Sequence, residues 1–93
     1  MNFDIPSDGW LMFTKSNCSY CKKAKALVPG AAFLLCDSYL DVSREAFLET
    51  MDKYCGTRHR TFPMIFHDGK FVGGYSELVR YKDELQAFEF VEF

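Results

Sequence analysis

The chain has 93 residues, 48% of them hydrophobic and 17% aromatic, with 11 Lys and Arg against 13 Asp and Glu for a net charge of −2. That length allows one domain, spanning residues 1–93, with a single core between two layers of secondary structure as the expected ceiling. The slightly acidic balance lacks the basic excess of a nucleic-acid binder, and no run reaches the roughly 18 apolar residues that cross a bilayer. Residues 1–9 have neither the basic start nor the apolar run of a signal peptide. A cytoplasmic protein with neither nucleic acid nor membrane as partner is therefore expected. In that setting four cysteines read as thiols for redox or metal chemistry rather than as a disulfide framework.

Trp10-Leu11-Met12-Phe13-Thr14, after Asp8-Gly9, has the length and bounding of a buried strand. Cys18 to Val28 follows as a helix, with Ala24, Leu27 and Val28 on one face, Lys22, Lys23 and Lys25 mainly off it, and Pro29-Gly30 as its stop. Ala32 to Cys36 is a second buried-strand candidate, which completes a β-α-β unit. Ser43 is a good N-cap for a helix carrying Phe47, Leu48, Met51 and Tyr54 at helical spacing up to Gly56. Pro63 to Phe66 and Lys70 to Val72 are short apolar segments joined by His67-Asp68-Gly69, and Asp-Gly predicts an antiparallel hairpin. From Ser76, the residues Leu78, Val79, Leu85 and Phe88 recur at helical spacing. The order is β-α-β-α-β-β-α, an α/β fold with a mixed four-stranded sheet flanked by helices.

Cys18-Ser19-Tyr20-Cys21 lies between the first strand and the first helix. Two cysteines three apart at a helix start can approach closely, and the first lies where unpaired N–H groups point outward. A thiolate there is favoured by the positive end of the helix and by Lys15, Lys22 and Lys25; residues 14–25 hold four lysines and no acid. The size of that effect decides the chemistry, because an unperturbed thiol of pKa about 8.5 is only ~3% thiolate at pH 7. The competing readings are an inert half-buried pair and a zinc site completed by Cys55 and His59, whose C-x-x-x-H spacing departs from that of zinc fingers. Cys36 reads as a small core residue, Cys55 as a core residue or a regulatory thiol, and His59 and His67 as exposed loop residues.

Four landmarks stand in register: Lys15-Ser16-Asn17-Cys18-Ser19-Tyr20-Cys21 after the first strand, Thr61-Phe62-Pro63 opening the third, Gly73-Gly74 closing the fourth, and Ser76-Glu77-Leu78 starting the last helix. Over nearly its whole length the chain resembles a glutaredoxin. The resemblance implies a thioredoxin-like fold and a monomeric, glutathione-dependent disulfide oxidoreductase. Such an enzyme acts in electron transport and cell redox homeostasis on glutathionylated or disulfide-containing proteins. It further implies Cys18 as nucleophile and Cys21 as resolving thiol. Lys15 would pair with the glycine carboxylate of glutathione, with Arg58 and Arg60 as assisting cations, and Tyr20 would form an apolar wall. Phe62, before a cis Pro63, would offer its N–H and C=O to the tripeptide as to an added strand. The backbone of Tyr75 and Ser76, beyond Gly74, would receive the γ-glutamyl carboxylate.

Two departures stand beside these matches. Ser19 replaces the usual Pro between the cysteines, and Tyr75-Ser76-Glu77 stands where Cys or Ser and two Asp usually follow the double glycine. Glu77 is then the candidate partner of the glutathione ammonium, with altered glutathione selectivity expected. The family's other activity is an alternative: a [2Fe-2S] cluster held between two protomers by the first cysteine and a glutathione from each. Loss of the loop Pro accompanies both activities. No resident metal site is expected otherwise.

Overall fold

The structure is a computed structural model that describes the backbone of residues 1–89 and the side chains of residues 1–86. Seven elements run through the described residues: β1 (Trp10–Thr14), α1 (Ser19–Leu27), β2 (Ala32–Leu35), α2 (Asp37–Cys55), β3 (Met64–His67), β4 (Lys70–Gly73) and α3 (Tyr75–Glu89). The sheet order is β2-β1-β3-β4, with β1 parallel to β2 and antiparallel to β3, and β4 antiparallel to β3.

Alternation along the strands sends Met12 and Ile65 to one face of the sheet and Phe13, Met64 and Phe66 to the other. On the first face they meet Ala24 of α1 and Leu78 of α3. On the second they meet Phe47, Leu48, Met51 and Cys55 of α2. The protein therefore has three layers rather than the expected two, because both faces of the short central strands carry apolar side chains that need cover.

Several expectations shift. β2 is an edge strand rather than a buried one: Phe33 and Leu35 are 56% and 51% exposed. The Lys25 ammonium lies 3.9 Å from the Phe33 ring centroid and shields it in part. Ser43 does act as a cap, with its hydroxyl accepting from the Ala46 N–H at 3.2 Å, but it sits at a kink inside a longer helix that begins at Asp37. The extra turn was hidden in the sequence because Tyr39 and Leu40 are held by the α2-side core rather than by a long apolar period. In α3, Val79 and Leu85 lie at the exposed margin of the helix, and the Phe88 side chain falls outside the described residues.

His67 belongs to β3, stacked on Trp10 at 4.1 Å between ring centroids and bonded through Nδ1 to the Tyr81 hydroxyl at 2.8 Å. His59 is half-buried, edge-on to Phe71. Neither is the exposed loop residue that the sequence pattern indicated, since each packs against an aromatic ring distant in sequence.

The hairpin turn has positive φ at both Asp68 and Gly69, 51° and 81°, as a tight two-residue connection requires. Asp68 also ties down the N-terminal segment: its N–H donates to the Gly9 carbonyl at 2.9 Å and its carboxylate accepts from the Gly9 N–H at 2.7 Å. That segment carries Phe3 across the core. Its ring meets those of Phe13 and Tyr39 at 5.2 Å and Phe47 at 5.9 Å, while its N–H donates to the Tyr54 hydroxyl at 2.8 Å. No described helix is long and apolar enough to cross a membrane.

Terminal residues are ordinarily dispensable. Here Phe3→Ala is expected to lower stability by roughly 2–3 kcal/mol in urea unfolding, through loss of an aromatic anchor, whereas Val42→Ala should stay within about 0.5 kcal/mol. Val42 is 86% exposed.

Candidate active site

Because β1 and β2 run parallel while β3 runs against them, the C-terminal ends of β1 and β2, the N-terminal end of β3 and the C-terminal end of β4 share one edge of the sheet. The segments Lys15–Cys18, Thr61–Pro63 and Gly73–Ser76 therefore converge there. Asn17 turns the chain with φ of 55°, and Cys18 follows in an extended conformation as the N-cap of α1. Its sulfur accepts from the Cys21 N–H at 3.3 Å, and its thiol points to the Phe62 carbonyl at 3.7 Å. The Phe62–Pro63 peptide is cis.

The four thiols are not equivalent. Cys21 is only 2% exposed, and burial together with its hydrogen bond to Cys18 pushes its thiol from 9.0 up to about 12. Burial also pushes Cys36 and Cys55 up to about 12. Cys55 is thus a core residue, packed with Phe47 and Met51, and not a thiol poised for modification. Cys18 lies at the helix start, where N–H groups stabilise a sulfur anion.

Beside Cys18 opens a groove of about 310 Å³ lined by Tyr20, Thr61, Phe62, Gly74, Tyr75, Ser76 and Glu77. The Tyr20 ring, 54% exposed, stands 5.7 Å from that of Tyr75. Phe62 stacks on Phe47 at 12° between ring planes and carries the Lys15 ammonium 5.9 Å from its centroid, so Lys15 is held beside the groove. The family resemblance singles out all of the lining residues except Thr61, which stands in the quoted Thr-Phe-Pro motif without a role.

Glu77 is the third residue of α3, and its Oε1 accepts from the Gly74 N–H at 2.9 Å, reaching back to cap its own helix. The fold permits this through Gly73, where φ is 129° and a Cβ would lie 2.7–2.8 Å from Glu77 atoms. Arg58 and Arg60 lie elsewhere, lining a second concavity of about 440 Å³ with Arg44, Glu45, Leu48 and Glu49. Arg60 grips Asp52 at 2.6 and 3.0 Å, which holds that carboxyl below the usual carboxylate range. The zinc reading fails on geometry: among the described residues no three of His, Cys, Asp or Glu are placed to hold a metal ion.

A thiol at a helix start, backed by a second thiol one turn on, can cycle between dithiol and disulfide. Comparison with known proteins agrees. The sequence model of the glutaredoxin family matches residues 11–72. Glutaredoxin-1 of Rhizophagus irregularis is 37% identical over 85 residues, covering 85% of this chain and 78% of its own. Among solved structures, glutaredoxin 1 of Francisella tularensis superposes with a TM-score of 0.68 at 24% identity, covering 85% of this chain and 96% of that one. A buckwheat glutaredoxin–glutathione complex superposes at 0.64 with 25% identity, covering 84% and 71%. The fold is thioredoxin-like, of the glutaredoxin type.

Two measurements check the thiol assignments. Brief treatment of the folded protein with iodoacetamide at about pH 7 should modify Cys18 and spare the other three, whereas the denatured chain should take up four adducts by intact mass. Cys21, Cys36 and Cys55 hold their protons up to about 12 when folded and lose them near 9.0 when unfolded. Their contribution to stability is therefore complete below about pH 9 and is lost as pH rises toward about 12, so the urea midpoint should fall across that window.

Proposed function

The chain belongs to the glutaredoxin family and is a thiol–disulfide oxidoreductase; on that premise we propose that it reduces glutathione mixed disulfides and protein disulfides with glutathione as the electron donor. The observation that carries this reading is the placement of the Cys18 sulfur on the Phe62 carbonyl, at the mouth of a groove that ends on the N-terminus of α3. In the first step the Cys18 thiolate attacks the glutathione sulfur of a mixed disulfide. The Cys18–glutathione bond forms, the old S–S bond breaks, and the released thiolate takes a proton. A second glutathione thiolate then attacks the bound glutathione sulfur, which leaves glutathione disulfide and a reduced Cys18. With a protein disulfide, Cys21 displaces the reduced target from Cys18, and two glutathiones later reduce the Cys18–Cys21 bond.

The tripeptide lies between Tyr20, Phe62 and Tyr75, with its glycine carboxylate toward Lys15 and its γ-glutamyl carboxylate on the N–H groups of Tyr75 and Ser76. Glu77 reaches the ammonium only by giving up its bond to Gly74, which supports the expected change in selectivity. Arg58 and Arg60 have no part in this pose, since the first lies away from the groove and the second is engaged with Asp52. Action as a monomer is part of this proposal. No arrangement of the described residues favours cluster binding over this reading.

Cys18→Ser should lose all turnover of a glutathione mixed disulfide in an assay coupled to glutathione reductase, while Cys21→Ser keeps a measurable part of it. Faster reduction of the oxidised protein by a thioredoxin-type reductase than by millimolar glutathione would reject glutathione as the donor.

A further inference from the structure

The loop that delivers Cys18 to α1 is held from outside the catalytic motif. Where β1 and β2 end side by side, the Cys36 N–H donates to the Thr14 carbonyl at 2.8 Å and carries the parallel ladder one residue past β2. This brings Asp37, the first residue of α2, against the loop. Its Oδ1 accepts from the Ser16 N–H at 2.9 Å, and its Oδ2 is bonded to the Ser16 hydroxyl. Both bonds, with help from the nearby Lys15 ammonium, hold the Asp37 carboxyl below the usual carboxylate range. The start of α2 favours a negative charge at the same place.

Two residues of this loop bear on the cysteines. The Lys15 N–H faces the Cys21 sulfur and eases its charged form. Asn17 has a left-handed φ of 55°, a conformation that costs most residues with a Cβ and that Asn tolerates better than they do. Only after that turn can Cys18 enter extended, with φ of −120° and ψ of 104°, and place its sulfur on the Cys21 N–H.

We propose that Asp37 is a positioning residue for Cys18, whose carboxylate holds both donors of Ser16 and so keeps residues 15–17 in the conformation that seats the Cys18 sulfur on the first N–H groups of α1. Asp37 acts on the sulfur in two opposing ways. As a negative charge it disfavours a neighbouring thiolate, but it is partly exposed and screened by water. As a clamp it preserves a charge-assisted N–H contact made at bonding distance. The clamp therefore dominates. The titratable and charged groups that act on this corner include Lys15 in the loop itself, Lys25, whose charge reaches Cys21 from α1, and, beside Asp37, Cys36, whose thiol burial pushes up to about 12.

The pH dependence of Cys18 alkylation in the full-length protein separates the two effects, and it needs no glutathione. Asp37→Ala is expected to move the midpoint of the alkylation profile to higher pH, slowing reaction at about pH 6 by ~3–10-fold. Asp37→Asn, which keeps an oxygen for the Ser16 N–H, should shift the midpoint less than Asp37→Ala does. Ser16→Ala, which loses only the hydroxyl bond, should give a smaller shift in the same direction. A midpoint lowered in Asp37→Ala would show that the charge alone matters and would overturn the proposal. An unchanged midpoint with a lower unfolding temperature would overturn it as well, by reducing Asp37 to a helix cap. Should Asp37→Ala not fold, an unshifted profile in Ser16→Ala decides against the proposal.

Discussion

The pairing of β1 with a parallel neighbour on one side and an antiparallel neighbour on the other is the constraint on which the site depends. A parallel partner puts the end of β2, and so Asp37, level with the end of β1. An antiparallel partner puts the beginning of β3, and so Phe62 and Pro63, at the same edge, and the hairpin returns Gly73 and Gly74 there through β4. Segments separated by as much as 44 residues thereby meet at one sulfur. The helices contribute termini to that edge: α1 presents N–H groups to Cys18, and α3 opens onto the groove. Shifting any strand by one residue would reverse which side chains reach each face, so the core that buries Met12 on one side and Phe13 on the other also maintains the register of the site.

The thiols differ by surroundings rather than by exposure alone, since Cys18 and Cys55 are each 9% exposed, and Cys21, though buried, keeps its place one turn from Cys18. Three of the four lie where a charge would have to leave water without adequate compensation, and their protons are held accordingly. Cys18 is the N-cap of α1, with its sulfur on the Cys21 N–H. The aromatic residues extend this division of labour: Phe3 leans on Phe47, Phe47 stacks on Phe62, and Phe62 supports Lys15 and offers its carbonyl to Cys18. A residue at the start of the chain is thus joined by ring contacts to the wall of the groove, and the N-terminal segment belongs to the fold as fully as any helix.

Much of this was legible in the sequence where the signal is local. Apolar runs and turn residues marked the strands, the Asp68-Gly69 pair marked the hairpin, and Ser43 marked a real cap. The misreadings share one cause, which is that a side chain's surroundings are not local. Phe33 and Leu35 have the composition of a buried strand, yet among the described residues β2 has no strand neighbour on its outer side. His67 has no partner pattern in the sequence but finds Trp10 and Tyr81 across the sheet. Arg60 carries the charge suited to a carboxylate ligand, and Asp52, eight residues earlier, takes it first.

The sequence by itself determined the order of elements, the reactive cysteine pair at a helix start and the family, because each rests on residue types at short spacings that any fold containing them must respect. Tertiary structure alone decided which cation stands beside the groove, which thiols burial holds protonated, that Glu77 caps its own helix and that Asp37 grips the catalytic loop. Those outcomes depend on distances between segments far apart in the chain, and such distances exist only once the sheet has brought the segments to one edge.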